Sequence, residues 1–343
     1  MEDFPLLLRR MLQGETMTAA ESAATVGAIV DETLTGAQAA GLLIALAARG
    51  ETIEEVIGGA VAMRQRALRV DHHLPLVIDI VGTGGDGVRS INISTAAALV
   101  VAGAGVPVAK HGNRAASSAC GSADVLEALG VPLDRPPAAA AELLTTQRIA
   151  FLFAPRYHPA FRAAATVRRE LGVRTIFNLL GPLCNPAGAH RQLVGVFGES
   201  QVGLVAEALQ GLGCEEGAVV HSASGMDEVA GDGPTDVAQF GKSGSRRWVL
   251  HPEEYGIRAS LDDLRGGDAR TNAALVLAVL QGEHSPQADV VALNAALALM
   301  VAGAAESIDE GLVGARASIA SGAALAALEA LRSSWVTEDA ANG

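Results

Sequence analysis

The first 70 residues alternate apolar faces with short polar starts at helical spacing. Thr18-Ala19-Ala20-Glu21, Thr35-Gly36-Ala37-Gln38 and Thr52-Ile53-Glu54-Glu55 each fit a capping box. In that box the Thr oxygen accepts an early backbone N–H, and the acid or amide three residues on reaches back. Three such starts, each followed by an apolar face, predict a helical N-terminal unit. Gly50 is placed to end the helix that begins at Thr35.

The pattern changes near residue 76. Leu76–Val81 is a short apolar run that ends in glycines, and Val106–Ala109, Ile149–Phe153, Leu193–Phe197 and Ala218–Val220 are similar. Helical stretches at 94–104, 122–129, 137–146, 158–171 and 200–212 lie between most of them. Strands alternating with helices predict an α/β fold with a mixed, mostly parallel central sheet. From about residue 270 the chain returns to Ala/Leu-rich helix, and Gly241–Ser245 reads as a hairpin turn. The domains expected are 1–70, helical, and 76–335, α/β.

Half of the 343 residues are apolar but only 3% are aromatic, so the core must be built from Ala, Val, Leu and Ile. The net charge of −13 argues against a nucleic-acid or membrane-surface protein, although a local basic pocket is compatible with it. Cys120, Cys184 and Cys214 lie far apart with no metal or disulfide spacing, which fits a reducing compartment. The start at Met1-Glu2-Asp3-Phe4 lacks the basic, then apolar, pattern of a signal peptide. The apolar segment at 288–304 holds Asp289 and Asn294 and is short for a membrane span. A cytoplasmic protein is expected.

Gly82-Thr83-Gly84-Gly85-Asp86-Gly87 follows the first strand and formally fits GxGxxG. Glycines let backbone N–H groups close on an anion, though a tight structural turn has the same composition. A dinucleotide loop needs an acid about 20 residues on. None occurs between Val88 and Gly121, and no Gly-Lys-Ser/Thr follows for a Walker loop. The loop carries its own acid, Asp86, which would repel a bare pyrophosphate and makes sense beside a metal ion or a ribose hydroxyl.

Asn92-Ile93-Ser94-Thr95 then opens a helix, where free N–H groups favour an anion; a plain Ser cap is the competing reading. Lys110-His111-Gly112-Asn113-Arg114-Ala115-Ala116-Ser117-Ser118 closes the next strand. Only two lysines occur in the chain, so a Lys inside this donor-rich run stands out. Two donor-rich loops at strand ends suit a ligand with two separated phosphate groups.

These motifs together resemble the anthranilate phosphoribosyltransferases. The resemblance extends over Ala154–Pro159, Arg168–Pro186 and Gly225-Met226-Asp227-Glu228 and covers nearly the whole chain. The Lys110–Arg114 run and Thr175–Pro186 are its most specific parts. Ile91 replaces a usual aromatic, and Ala119 replaces a frequent Lys, which puts one phosphate contact in doubt.

The resemblance implies a homodimer. Each subunit would pair a small helical domain, joined by helices from about 160–185, with a larger α/β domain. It implies transfer of a phosphoribosyl group from phosphoribosyl pyrophosphate to anthranilate, in tryptophan biosynthesis. Gly82, Gly85, Asp86, Ser90, Asn92, Ile93, Ser94, Thr95, Lys110–Ser118 and Ser122 would line the donor site. Ser94, Asp227 and Glu228 would hold Mg²⁺, two ions per subunit. Gly82, Asn113 and Arg168 would bind anthranilate, with His111, His158 and Pro182 along its way in. No strong general base is assigned, because an aromatic amine is already neutral near pH 7. Two rivals are a nucleoside phosphorylase-like transferase and a nucleic-acid-binding relative of the same fold. The Lys110–Arg114 run speaks against the first and the acidic charge against the second.

Overall fold

The computed structural model describes residues 4–85, 87–115 and 119–333. Asp86, Ala116, Ser117 and Ser118 lie outside the described residues. The chain opens with α1 (Phe4–Leu12), α2 (Ala19–Val30), α3 (Gly36–Arg49) and α4 (Ile53–Gln65). All three expected capping boxes are formed at Thr18, Thr35 and Thr52, and Gly50 ends α3 at φ +89°. Glu55 does more than cap. Its buried carboxylate accepts from Thr52 N–H, from Met17 N–H at 2.9 Å and from Arg49, tying the start of α2 to the end of α3.

The sheet follows as β1 (Ile78–Gly82), β2 (Val108–Gly112), β3 (Ile149–Phe153), β4 (Arg191–Gly195), β5 (Glu216–Ser222), β6 (Thr235–Gly241) and β7 (Gly244–Leu250). Its seven strands run in the order β3-β2-β1-β4-β5-β6-β7. β1 to β5 are parallel and β6 and β7 antiparallel. The mixed, mostly parallel sheet is therefore as expected.

Between the strands lie α5 (Ile93–Gly103), α6 (Ser122–Ala128), α7 (Pro137–Gln147), α8 (Ala154–Tyr157), α9 (Phe161–Leu171), α10 (Ile176–Leu180) and α11 (Glu199–Gly211). After the sheet come α12 (Ala269–Leu280), α13 (Pro286–Val301), α14 (Ile308–Ala320) and α15 (Ala323–Arg332). The helix expected at 158–171 starts three residues later, as α9 at Phe161. Pro159 offers no N–H and disfavours helical backbone at His158, so α8 ends at Tyr157 and α9 starts only at Phe161. The turn at 241–245 does join a hairpin, with Gly244 at φ +94°.

Alternation along the strands divides the core. Ile78, Ile80, Leu193, Ala218 and Val220 face one side with α5, α13 and α15. Val194, Val196, Val219 and Phe240 face the other, with α11 and the N-terminal helices. α9 and α10 leave the sheet and pack on α2, α3 and α4. Small residues allow the closest crossing: a Cβ on Gly58 of α4 would meet the Ala19 carbonyl and Ser22 of α2. Among the described residues no single helix is long and apolar enough to cross a membrane; the apolar α13 is buried along most of its length. The three cysteines are free, and burial pushes the thiol of Cys120 up to about 11 and those of Cys184 and Cys214 up to about 12.

Candidate active site at the strand ends

From β1 the chain builds outward to β2 and β3, then returns to the other side of β1 with β4. The loops after β1 and β4 thus diverge at the carboxyl edge of the sheet, where open α/β folds form their ligand crevice. A cleft of about 410 Å³ lies there. Gly82 of β1 lines it and is the paired neighbour of Gly195 of β4. Side chains at either position would collide with Asp227, so these two glycines admit the acid to the strand ends.

The cleft collects nearly all the described candidates. Gly82, Gly85, Ser90, Asn92, Ser94, Thr95, Lys110–Ala115, Ser122, Arg168, Asp227 and Glu228 line it, with His158 and Pro182. Ile93 is the exception: its side chain lies in the core, and its N–H bonds the Ile91 carbonyl at 2.8 Å, so it offers nothing to the cleft.

The two donor-rich loops are pinned to one another. Asn92 donates to the Cys120 carbonyl and accepts from Asn272 at 2.9 Å. Asp124 accepts from Ala115 and Gly121 N–H, both at 2.9 Å, which folds the second loop back onto α6. Arg114 is held by Asp124 and Glu127 and stacks over Phe153. Thr95 is buried, lines the cleft, and its hydroxyl has no hydrogen-bond partner among the described residues.

Charge in the cleft is concentrated and dry. Lys110 is buried and donates to the Ile80 carbonyl at 2.6 Å. Burial pushes its ammonium below the usual lysine range, opposed by Asp79, then Glu228 and Asp227. Asp79 projects from β1 beneath this segment and is wholly buried; burial drives its carboxyl up to about 6. It accepts from His111 N–H at 3.1 Å and from Asn185 at 2.7 Å. Asn185 also donates to the Ala109 carbonyl at 2.7 Å, so the pair braces both sides of Lys110. Asp79 was open to discovery as the one acid in an otherwise apolar strand; its bracing role was not.

Asp227 accepts from Gly84 N–H at 2.6 Å, and Glu228 from Ser94 N–H at 3.1 Å. The glycine loop, the start of α5 and the acid pair are thus one unit. Burial, and then the neighbouring Asp227 charge, hold the Glu228 carboxyl well above the usual range. Two crowded acids, Asp227 buried and Glu228 half-buried, beside a serine and with an open cleft in front, fit a hard cation that takes its other ligands from substrate oxygens and water. No cluster of three metal-ligating side chains occurs among the described residues.

At the opposite wall, rings run in series: His111 to His158 at 5.0 Å, His158 to Phe161 at 5.9 Å and Phe161 to Phe177 at 5.4 Å. Burial pushes His158 down to about 4 and His111 well below the histidine range, so both are neutral at pH 7. The guanidinium of Arg168 lies 5.6 Å over Phe177, half-buried, and forms no salt bridge with a described carboxylate. An aromatic wall ending in an unpaired cation matches a planar aromatic acid.

The sequence profile described as "Glycosyl transferase family, a/b domain" matches residues 74–325, and that described as "Glycosyl transferase family, helical bundle domain" matches residues 5–67. Anthranilate phosphoribosyltransferase of Moorella thermoacetica is 48% identical over 335 residues, 97% of this chain and 98% of that protein. Its counterpart in Thermomicrobium roseum is 51% identical over 95% of each chain. The chain belongs to the anthranilate phosphoribosyltransferase family. The fold agrees: the crystal structure of the family member from Thermus thermophilus superposes with a TM-score of 0.89 at 46% identity, covering 95% of this chain and 99% of that one. The Saccharomyces cerevisiae member in complex with phosphoribosyl pyrophosphate and Mg gives 0.87 at 26% identity, covering 96% of each.

Proposed function

We propose that the cleft transfers the phosphoribosyl group of phosphoribosyl pyrophosphate to the amine of anthranilate, as in tryptophan biosynthesis. The C1–oxygen bond to pyrophosphate breaks and a C1–nitrogen bond forms. Pyrophosphate departs with the electron pair, and the amine loses a proton. The observation that carries the reading is the convergence of two anion loops, an acid pair and an unpaired Arg168 on one cleft. The family's relatives supply the substrate names; a yeast member was crystallised with the donor and Mg, and with 4-fluoroanthranilate.

The donor's phosphates would lie against Gly82, Gly85, Ser90, Asn92, Ser94, Thr95, Lys110 to Ala115 and Ser122. Asp86, Ala116, Ser117 and Ser118 belong to the same proposal on sequence alone. Lys110, in a dry site, stabilises the charge that builds on the leaving pyrophosphate. Ser94, Asp227 and Glu228 would hold Mg²⁺, two ions per subunit; when bound, it would neutralise phosphate charge. Gly82, Asn113 and Arg168 would take anthranilate, the guanidinium matching its carboxylate. His111, His158 and Pro182 would flank its way in. No side chain acts as a strong base: the proton leaves late, to water, a phosphate oxygen or the neutral His111, whose Nε2 has no partner among the described residues.

The division into a domain of 1–70, joined by helices from about 160–185, and one of 76–335 is part of the same reading, as are a homodimer and a cytoplasmic location. Apolar side chains exposed on the N-terminal helices, among them Leu6 and Leu12, support the dimer. A direct test offers the protein either phosphoribosyl pyrophosphate with anthranilate or pyrimidine nucleosides with phosphate. Turnover of the first pair alone is expected; turnover of the nucleosides would replace the reading with the phosphorylase-like one.

A further inference from the structure

We propose that Arg174 is a positioning residue that fixes the glycine loop from the helical side of the cleft. The inference rests on the proposed reading of that loop as part of the donor site. Arg174 lies between α9 and α10, in the segment packed on the N-terminal helices. Its guanidinium reaches across to the Gly85 carbonyl and lies 4.3 Å over the ring of Phe197, just beyond β4. It does not line the cleft, so it acts through the loop and not on a ligand.

The loop needs such a hold. Gly84, Gly85 and Gly87 stand at φ +67°, +72° and +81°, left-handed backbone that glycine adopts at an entropic cost of ordering. Its first half is tied to the sheet by Thr83 N–H on the Gly195 carbonyl at 2.9 Å and by Gly84 N–H on Asp227. Asp227, however, is shared with the proposed metal, whose charge competes for the same carboxylate. Arg174 is not shared. A charged donor on a carbonyl, stacked on a ring that limits its rotamers, keeps the Gly85 peptide in place whether or not Asp227 is occupied elsewhere. Arg168, the proposed acceptor contact, precedes it by less than two helical turns on the same segment. One short stretch of chain therefore touches both half-sites.

The test is steady-state kinetics on Arg174→Ala, Arg174→Lys and Phe197→Leu, with unfolding midpoints alongside and the wild type as reference. Arg174→Ala should raise the KM for phosphoribosyl pyrophosphate about five- to tenfold, with kcat at saturating donor and the anthranilate KM each within about twofold. Arg174→Lys, which keeps one donor for Gly85, should recover most of the loss. Phe197→Leu should move the donor KM in the same direction by about twofold. A donor KM unchanged in Arg174→Ala would overturn the inference. So would equal losses in all three parameters with a lowered unfolding midpoint and no recovery by Lys. A wild type inactive with this substrate pair would instead overturn the functional reading beneath it.

Discussion

At the scale of single residues, the cleft depends on charges kept out of water and paired unequally. Arg168 has a ring beneath it and no ion pair with a carboxylate among the described residues, so a ligand carboxylate would gain a bidentate partner at small desolvation cost. Arg168→Ala should raise the anthranilate KM about tenfold or more while the donor KM stays within about twofold. Equal KM values for anthranilate in mutant and wild type would remove it from the acceptor site. Asp227 and Glu228 are the opposite case, two acids forced together, which a bound cation would relieve. Asp227→Asn with Glu228→Gln should move the Mg²⁺ concentration for half-maximal rate upward or lower kcat by about tenfold or more. A wild-type Mg²⁺ titration would exclude them as ligands. Sequence reading could propose these residues because their chemistry is local: an Asp-Glu pair, a glycine run, a Lys in an Arg-rich chain. It did not single out Arg174, whose proposed role exists only because the α9–α10 connection meets a loop some ninety positions earlier in the chain. Nor did it separate Ile93 from its neighbours, since helical phase turns that one side chain into the core.

At the scale of elements, legibility follows the local signal. The capping boxes of α2, α3 and α4 are complete within four residues, and all three form. The late start of α9 is equally local, set by Pro159, which the expected helix from 158 takes in. β6 and β7 gave away only their turn, because β7 is an edge strand exposed along most of its length and carries Arg246 and Arg247. Such charges blunt a sheet edge and erase the apolar alternation that marks a strand. The crossing of α2 and α4 yields a stability prediction. Ala in place of Gly58 gains about 1 kcal/mol of helix propensity. It also forces a methyl group into the Ala19 carbonyl and Ser22, an overpacking cost of about 1–3 kcal/mol that contact with rigid backbone places at the upper end. Gly58→Ala should therefore lower the denaturant midpoint; an unchanged or raised midpoint would show that the helices part without cost.

At the scale of the whole molecule, the strand order decides where chemistry can occur. The switch in winding between the parallel strands β1 and β4 opens the sheet edge, glycines at both strand ends let Asp227 in, and the returning α9–α10 segment brings Arg168 opposite. None of this order is visible in the periodicity of the chain. The fold class followed from alternation, whereas the assembly of the cleft required the structure. The chain of 34.9 kDa is expected to sediment as a pair of copies at micromolar concentration, and a single-copy mass there would contradict the proposed homodimer. The central claim, transfer of phosphoribose to anthranilate, is tested most directly by the decay of anthranilate fluorescence in the presence of phosphoribosyl pyrophosphate. Decay that requires protein, donor and Mg²⁺, and that stops on addition of EDTA, is the predicted result. Folded protein that leaves the fluorescence constant with all three present would contradict it.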